Sequence, residues 1–333
     1  MEYLTDALSF LPNSEQEKEL FRKADKVRRE HYGTDVYIRG LIEVTNYCNN
    51  NCYYCGIRKG NRDVKRYRLS KDEILTCCEQ GYKLGFRTFV LQGGEDAAFT
   101  DDLICSIVSE IKSLHSDCAV TLSLGEKSYG SYKAYFDAGA DRYLLRHETA
   151  NSEHYKKLHP DNMSFERRIN CLWNLKQIGY QVGTGIMVGS PFQTFENIVE
   201  DLQFMQELQP DMIGVGVYLS HHKTPFSEYP NGDLHLCIRL IAVLRLMFPY
   251  ALLPATTALG TIDPKGRELA LSAGANVIMP NLSPASVRKQ YELYDNKAHT
   301  GAEAAESLML LREKVESAGY SVVIGVGNPL TTR

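Results

Sequence analysis

With 333 residues and 44% hydrophobic content, the chain is long enough for one large α/β barrel or two average domains. A formal charge of -4 without a long basic run argues against a nucleic-acid surface, and no apolar run approaches membrane-spanning length. The opening Met-Glu-Tyr-Leu-Thr-Asp has neither a basic region nor an apolar core, so nine cysteines point to a reducing cytoplasm rather than a secreted disulfide framework.

Residues 1–34 read as a polar helical extension, with apolar positions at helical spacing between Glu15 and Tyr32. From Val36 onward, β-branched runs alternate with amphipathic stretches of roughly ten to eighteen residues, the pattern of βαβ units around a parallel sheet. The strand-like runs fall at 36–44, 88–92, 119–124, 142–146, 181–188, 212–218, 252–255 and 276–279, and eight of them are what a complete (β/α)8 barrel of the TIM type requires. Ser70 with Glu73 forms a capping box, Thr100 before Asp101 and Asp102 caps a second helix, and Gly130-Ser131 precedes a third. The α/β barrel is expected over 35–295. Residues 296–333 are expected to pack on it as a C-terminal extension, with a helix over 302–318 and a last strand over 321–325.

The first strand runs into Asn46-Tyr-Cys-Asn-Asn-Asn-Cys-Tyr-Tyr-Cys-Gly56, where Cys48, Cys52 and Cys55 make C-x3-C-x2-C on one loop. Three soft ligands so placed suit an iron-sulfur cluster. No fourth cysteine is nearby, which leaves one iron open to a further ligand, and the spacing resembles that of enzymes in which the amino acid part of S-adenosylmethionine (SAM) takes this place. C-x2-C is also a zinc half-site, but zinc wants a second pair. Cys77 and Cys78 are adjacent in a helical pattern, and Cys105, Cys118, Cys171 and Cys237 are scattered among apolar residues.

Barrel chemistry sits where strands end. The second strand ends in Gln92-Gly93-Gly94-Glu95-Asp96, where glycines let backbone approach a ligand and Glu95 can accept from an ammonium group, although a plain tight turn explains it as well. The third ends Thr121-Leu-Ser123-Leu-Gly-Glu126. The fourth carries Arg146 and Glu148 on one face, either a structural ion pair or a polar ligand site. Pro254-Ala-Thr256-Thr257-Ala-Leu-Gly-Thr261 replaces an apolar strand end with hydroxyls that suit an anion or metal-complex pocket, and Tyr291 and Tyr294 can cover it. Met212 opens the sixth strand as core filler by default. His221-His222 lies in a loop without a third ligand at suggestive spacing. Arg58, Lys59, Arg62, Lys65, Arg66 and Arg68 form a basic run beside the cysteines, either solvated or guiding an acidic electron donor.

Together, Cys-Asn-Asn-Asn-Cys-Tyr-Tyr-Cys-Gly, Leu-Gln-Gly-Gly-Glu-Asp, Thr-Leu-Ser-Leu-Gly-Glu, Tyr-Leu-Leu-Arg-His-Glu-Thr-Ala-Asn and Pro-Ala-Thr-Thr-Ala-Leu-Gly-Thr resemble the HydE family. These are radical SAM maturases of [FeFe]-hydrogenase, related to biotin synthase and methylornithine synthase. The resemblance covers about 36–294. It implies a [4Fe-4S] cluster on Cys48, Cys52 and Cys55 that cleaves SAM to a 5'-deoxyadenosyl radical. Cofactor contacts are then implied for Tyr54, Gln92, Gly93, Gly94, Glu95, Ser123, Arg146, Glu148, Arg168 and Met212. A substrate cavity is implied for Thr121, Thr256, Thr257, Met279, Tyr291 and Tyr294. The implied substrate is a small organometallic species, a cysteine-bound iron carbonyl cyanide delivered from HydG, on the way to the di-iron subcluster carried by HydF. Flavodoxin or ferredoxin is the implied one-electron donor. A mutase or sulfur-inserting enzyme remains an alternative within the class, and a metal-stabilised barrel without catalysis one outside it. Residues 295–333 contain no cysteine, so a second cluster found in some relatives is not expected. Phe192 stands where relatives often have Gly.

Overall fold

The computed structural model describes residues 6–298 and 305–330. The run expected at 36–44 becomes two strands broken at Arg39, β1 (Asp35–Ile38) and β2 (Gly40–Thr45). Along β2 the period of two sorts the side chains: Ile42 and Val44 join the main hydrophobic cluster, while Glu43 meets Asn281 and Lys297. A six-stranded parallel sheet then follows chain order through β2, β3 (Thr88–Gly93), β4 (Ala119–Ser123), β5 (Arg142–Leu144), β6 (Gln181–Thr184) and β8 (Met212–Ile213).

Single parallel bridges, Met212 to Leu252 and Pro254 to Val277, carry the pairing onward. Next, β10 (Val277–Ile278) pairs with β1 in a register that continues to a bridge between Leu41 and Asn281. Followed from Glu43 through Gln92, Ser123, Leu144, Gly183, Met212, Leu252 and Ala275, the register returns to the starting strand at Asp35, eight residues lower. That offset is the stagger of an eight-position barrel. Two of the positions, at 252–255 and 276–279, are shorter or more irregular than expected.

The runs at 181–188 and 212–218 are each divided. Their second halves, β7 (Met187–Val188) and β9 (Gly216–Val217), pair with each other apart from the main sheet. The cause lies between the halves, where a Cβ on Gly185 would stand 1.9 Å from the carbonyl oxygen of Gly214, so that only bare backbone fits.

Between strands, Ser70 and Glu73 complete their capping box at helix Lys71–Lys83, and the Thr100 hydroxyl accepts the amide of Leu103. The third helix starts slightly earlier than expected, at Tyr129 with Ser128 as its cap. Outside the barrel, helix Glu15–Tyr32 lies on helix Leu234–Met247, pinned by a buried Glu17–Arg239 pair at 2.9 Å. Of the helix expected at 302–318, residues 302–304 lie outside the described residues, and the observed helix is Leu308–Ser317. It leads to β11 (Ser321–Val323), which joins β1 below β3. The Arg142 guanidinium then donates to the carbonyls of Val326 and Gly327, and Thr88 donates to Val326, so the tail covers the amino-terminal end of the barrel.

Candidate active site

The cysteine loop is held from several directions. Asn46, fully buried, donates to the carbonyls of Lys65 and Gln290 at 3.0 and 2.7 Å and accepts the amide of Tyr67 at 2.8 Å. Arg66, read in the sequence as part of a charged run, turns inward and donates to the carbonyls of Asn46, Ile57, Arg58 and Asn61. It is a frame for the loop rather than a docking charge. Lys59, Arg62, Lys65 and Arg68 stay exposed, and Arg68 binds Asp96 at 2.6 Å.

All nine cysteines are free thiols. Burial pushes the thiols of Cys48 and Cys52 up, and that of Cys55 up to about 12, with the neighbouring thiols adding to the shift at Cys52 and Cys55. The three thiols act on one another, and no fourth cysteine or histidine joins the loop to complete a zinc site, whereas three cysteines are a fitting donor set for an iron-sulfur group. The donor set fits such a cluster, with Cys48, Cys52 and Cys55 to hold it.

The Gly93-Gly94-Glu95 turn packs on this loop. A Cβ on Gly94 would stand 2.2 Å from the Tyr47 carbonyl and 2.7 Å from Cys48 Cβ, so this glycine serves close approach to the cysteine loop. The amide of Asn49 donates to the Glu95 carbonyl at 2.8 Å. Glu95 Oε1 accepts the amide of Glu126 at 2.9 Å. Glu126 was not singled out from the sequence, yet its Oε1 lies 2.9 Å from Arg168 Nε and its Oε2 lies 3.1 Å from Arg167 Nε. Burial raises the Glu126 pKa, and the Arg168 charge opposes the rise without cancelling it. Ser164 caps the helix Phe165–Ile178 that brings Arg168 in, and Arg168 is buried beside Cys52 and Tyr54.

Tyr54, between two of the cysteines, places its hydroxyl 3.2 Å from His159 Nε2, while His159 Nδ1 lies 3.0 Å from the Tyr155 carbonyl. The carbonyl requires a proton on Nδ1, so Nε2 accepts from Tyr54. Burial, then the Arg168 charge, depress the His159 pKa to about 3. Met163 Sδ stands 3.9 Å from Cys52 Sγ, a contact with no signature in the sequence.

Arg146 and Glu148 meet at 2.9 Å. Glu148 adopts φ of 67°, a left-handed conformation that costs a non-glycine residue about 1 kcal/mol or more. Despite their proximity, Arg146 Nε and Nη2, Glu148 Oε2 and Arg168 Nε are buried without a hydrogen bond of good geometry. Glu148 acts on the Cys55 thiol, and Glu95 on that of Cys48, so these charges share the space above the cysteines. Such unmade bonds suit a ligand that carries both an ammonium and a carboxylate, as the amino acid part of SAM does.

Of the expected cavity residues, Thr121 is buried and Thr256 half-buried, and the buried hydroxyl of each lacks a partner. Tyr291 is buried with its hydroxyl 3.4 Å from Gln92 Nε2. Thr257 begins the short helix Thr257–Ile262, and its hydroxyl accepts from Arg267 at 3.4 Å. Tyr294 is half-buried against the core, and Ser123 lies beside Gln92 in the register. Met212 Sδ accepts from Arg39 at 2.7 Å, and Met212 packs with Tyr32, Leu252, Val277 and Met279, while a Cβ on Gly183 would stand 2.8 Å from Met212 Cε.

The sequence reading of His221-His222 also needs amendment, because Asp295 supplies a third group, 2.6 Å from His222 Nδ1 and 3.9 Å from His221 Nε2. The backbone amide of Lys223 donates to His221 Nδ1 at 3.0 Å, which puts the ring proton on Nε2, toward the carboxylate. That arrangement ties two loops together through hydrogen bonds.

The Radical SAM superfamily model matches residues 42–205. The [FeFe] hydrogenase maturase subunit HydE of Thermotoga maritima is 47% identical over 296 residues, spanning 89% of this chain and 84% of that protein. The chain belongs to the HydE family of radical SAM enzymes. Its cofactors are a [4Fe-4S] cluster and SAM, in keeping with the three cysteines of the 48–55 loop. A 3-methylornithine synthase of Methanosarcina acetivorans is 31% identical over 291 residues, spanning 87% of this HydE-family chain and 81% of the synthase. Among solved structures, methylornithine synthase (PylB) superposes with a TM-score of 0.85 at 28% identity, covering 97% of this chain and 93% of its own. HydG from Carboxydothermus hydrogenoformans shares the fold, with a TM-score of 0.80 at 20% identity over 96% of this chain and 75% of HydG. No helix among the described residues is long and apolar enough to cross a membrane.

Proposed function

We propose that this HydE-family enzyme matures [FeFe]-hydrogenase by turning a 5'-deoxyadenosyl radical on a cysteine-bound iron carbonyl cyanide in the barrel lumen, on the way to the di-iron subcluster. The observation that carries the reading is the set of buried atoms on Arg146, Glu148 and Arg168 that lack a hydrogen bond of good geometry, with Glu148 and Arg168 acting on the cysteines of the 48–55 loop. The cluster, when bound, supplies the electron that splits the SAM sulfonium. The chain's own residues do the rest. Arg146 and Arg168 present donors to a carboxylate, Glu148 and Glu95 present acceptors to an ammonium, and Tyr54, fixed by neutral His159, limits the space beside the loop. Thr121, Thr256, Thr257 and Tyr291 offer hydroxyls to the cyanide and carbonyl ligands of the substrate.

HydG as source, HydF as recipient and a cytoplasmic flavodoxin or ferredoxin as donor complete the proposal. The exposed Lys59, Arg62 and Lys65 near the cysteines favour an acidic donor. The deciding experiment supplies the purified, reconstituted protein as the sole missing maturase in an in vitro hydrogenase maturation. Recovery of hydrogenase activity is expected, and its absence alongside competent SAM cleavage would overturn the substrate. The methylornithine synthase superposition favours one second reading, a carbon-skeleton mutase. Incubation with lysine and SAM, followed by product analysis, separates the two.

A further inference from the structure

Between the charged residues of the Arg146–Glu148 clamp stands His147, with its imidazole fully buried against the helix layer. Its Nδ1 is 2.8 Å from Thr184 Oγ1 and its Nε2 is 3.3 Å from Asp201 Oδ1. Asp201, on helix Phe195–Leu208, is also fully buried, and the same Oδ1 accepts the amide of Ala150. Phe204, one turn along that helix, lies edge-on to the imidazole at 4.9 Å.

A carboxylate and an imidazole with no solvent exposure are costly to bury, and the proposed chemistry uses neither. Their value lies in what they flank. The chain is tied to Asp201 immediately before Glu148, through His147, and again two residues after it, through Ala150. Glu148 itself is in the left-handed region and is otherwise held by its amide on the Gly185 carbonyl at 3.2 Å. The Nε2 to Oδ1 approach is off the hydrogen-bonding direction, so the attraction between the imidazole and the carboxylate is electrostatic rather than a formed hydrogen bond.

We infer that Asp201 is the positioning residue of the clamp, holding Glu148 in its strained conformation through His147 and the Ala150 amide so that the Arg146 and Glu148 side chains face the ligand. The inference rests on the reading of these residues as SAM contacts. Because it concerns the backbone of 147–150, it has a readout that needs neither cluster nor turnover.

The test compares wild type with Asp201→Asn and Asp201→Ala. In cluster-free protein, amide hydrogen exchange over 147–151 is expected to rise at least tenfold while exchange in β2 to β4 is unchanged. In reconstituted enzyme, KM for SAM is expected to rise at least tenfold with kcat at saturating SAM within twofold of wild type. His147→Gln, which keeps a donor toward Asp201, should fall between the two. Where Asp201→Ala does not fold, Asp201→Asn and His147→Gln carry the comparison. Unchanged exchange at 147–151 overturns the inference, as does a loss of kcat and bound iron without a change in KM. If the wild type neither binds nor cleaves SAM, the proposed function fails, and the exchange comparison still decides whether Asp201 anchors this segment.

Discussion

Arg168 Nε lies 2.9 Å from Glu126 Oε1, joining the first turn of the helix that precedes β6 to the loop after β4. Neither residue belongs to the cysteine loop, yet the pair fixes the guanidinium beside Cys52 and Tyr54. Replacing Glu126 by Gln leaves Arg168 buried without its counter-charge, a change that typically costs about 3 kcal/mol or more. KM for SAM should rise roughly 10- to 100-fold, as read from initial rates of 5'-deoxyadenosine formation. An unchanged KM would show that Arg168 does not depend on this carboxylate.

Replacing Cys48, Cys52 or Cys55 by Ser should abolish reductive SAM cleavage, because a hydroxyl does not substitute for a soft thiolate ligand. Anaerobic reconstitution of the wild type should yield about four irons per chain with matching acid-labile sulfide. A value near eight would demonstrate a second cluster, and zinc in place of iron would restore the non-catalytic barrel.

Reduction by a protein donor should slow several-fold as salt rises from about 50 to 300 mM, since screening shortens the reach of exposed charges. Changing Lys59, Arg62 and Lys65 together to Glu should do the same at low salt. Stopped-flow reduction by flavodoxin is the measurement. Dithionite serves as the control, and an equal effect on dithionite would mean that the substitutions disturb the cluster rather than the encounter.

His159 gives a pH dependence. Its pKa is depressed from 6.5 to about 3 in the folded protein, so the unfolded chain takes up a proton first as the solution is acidified. Stability from this group is therefore full above pH 6.5 and is lost as pH falls toward about 3. His159→Asn, which keeps a donor for the Tyr155 carbonyl, should flatten the fall in melting temperature between pH 6.5 and 4. A slope identical to wild type would count against a neutral, buried imidazole.

What was legible in the sequence was what is local in the chain. The Ser70–Glu73 box, the Thr100 cap and the three-cysteine loop are all written within a few residues, and each is found where expected. The partnership of Glu126 with Arg168 and the arrival of Asp295 beside His221-His222 depend on how distant segments stack, which spacing does not encode. The breaks in two strands follow from Gly185 and Gly214 passing within touching distance, a fact about the pair rather than about either run. Met212 illustrates a third reason. In a staggered barrel, being first on a strand sets a residue's height only once the register of every preceding strand is known.

The tail that lies across Thr88 and Arg142 covers the amino-terminal end of the barrel, while the proposed SAM contacts gather where the strands finish. Loosening the Arg142 anchor is therefore a way to disturb the barrel from the side away from the cysteines, without touching any residue proposed to hold SAM.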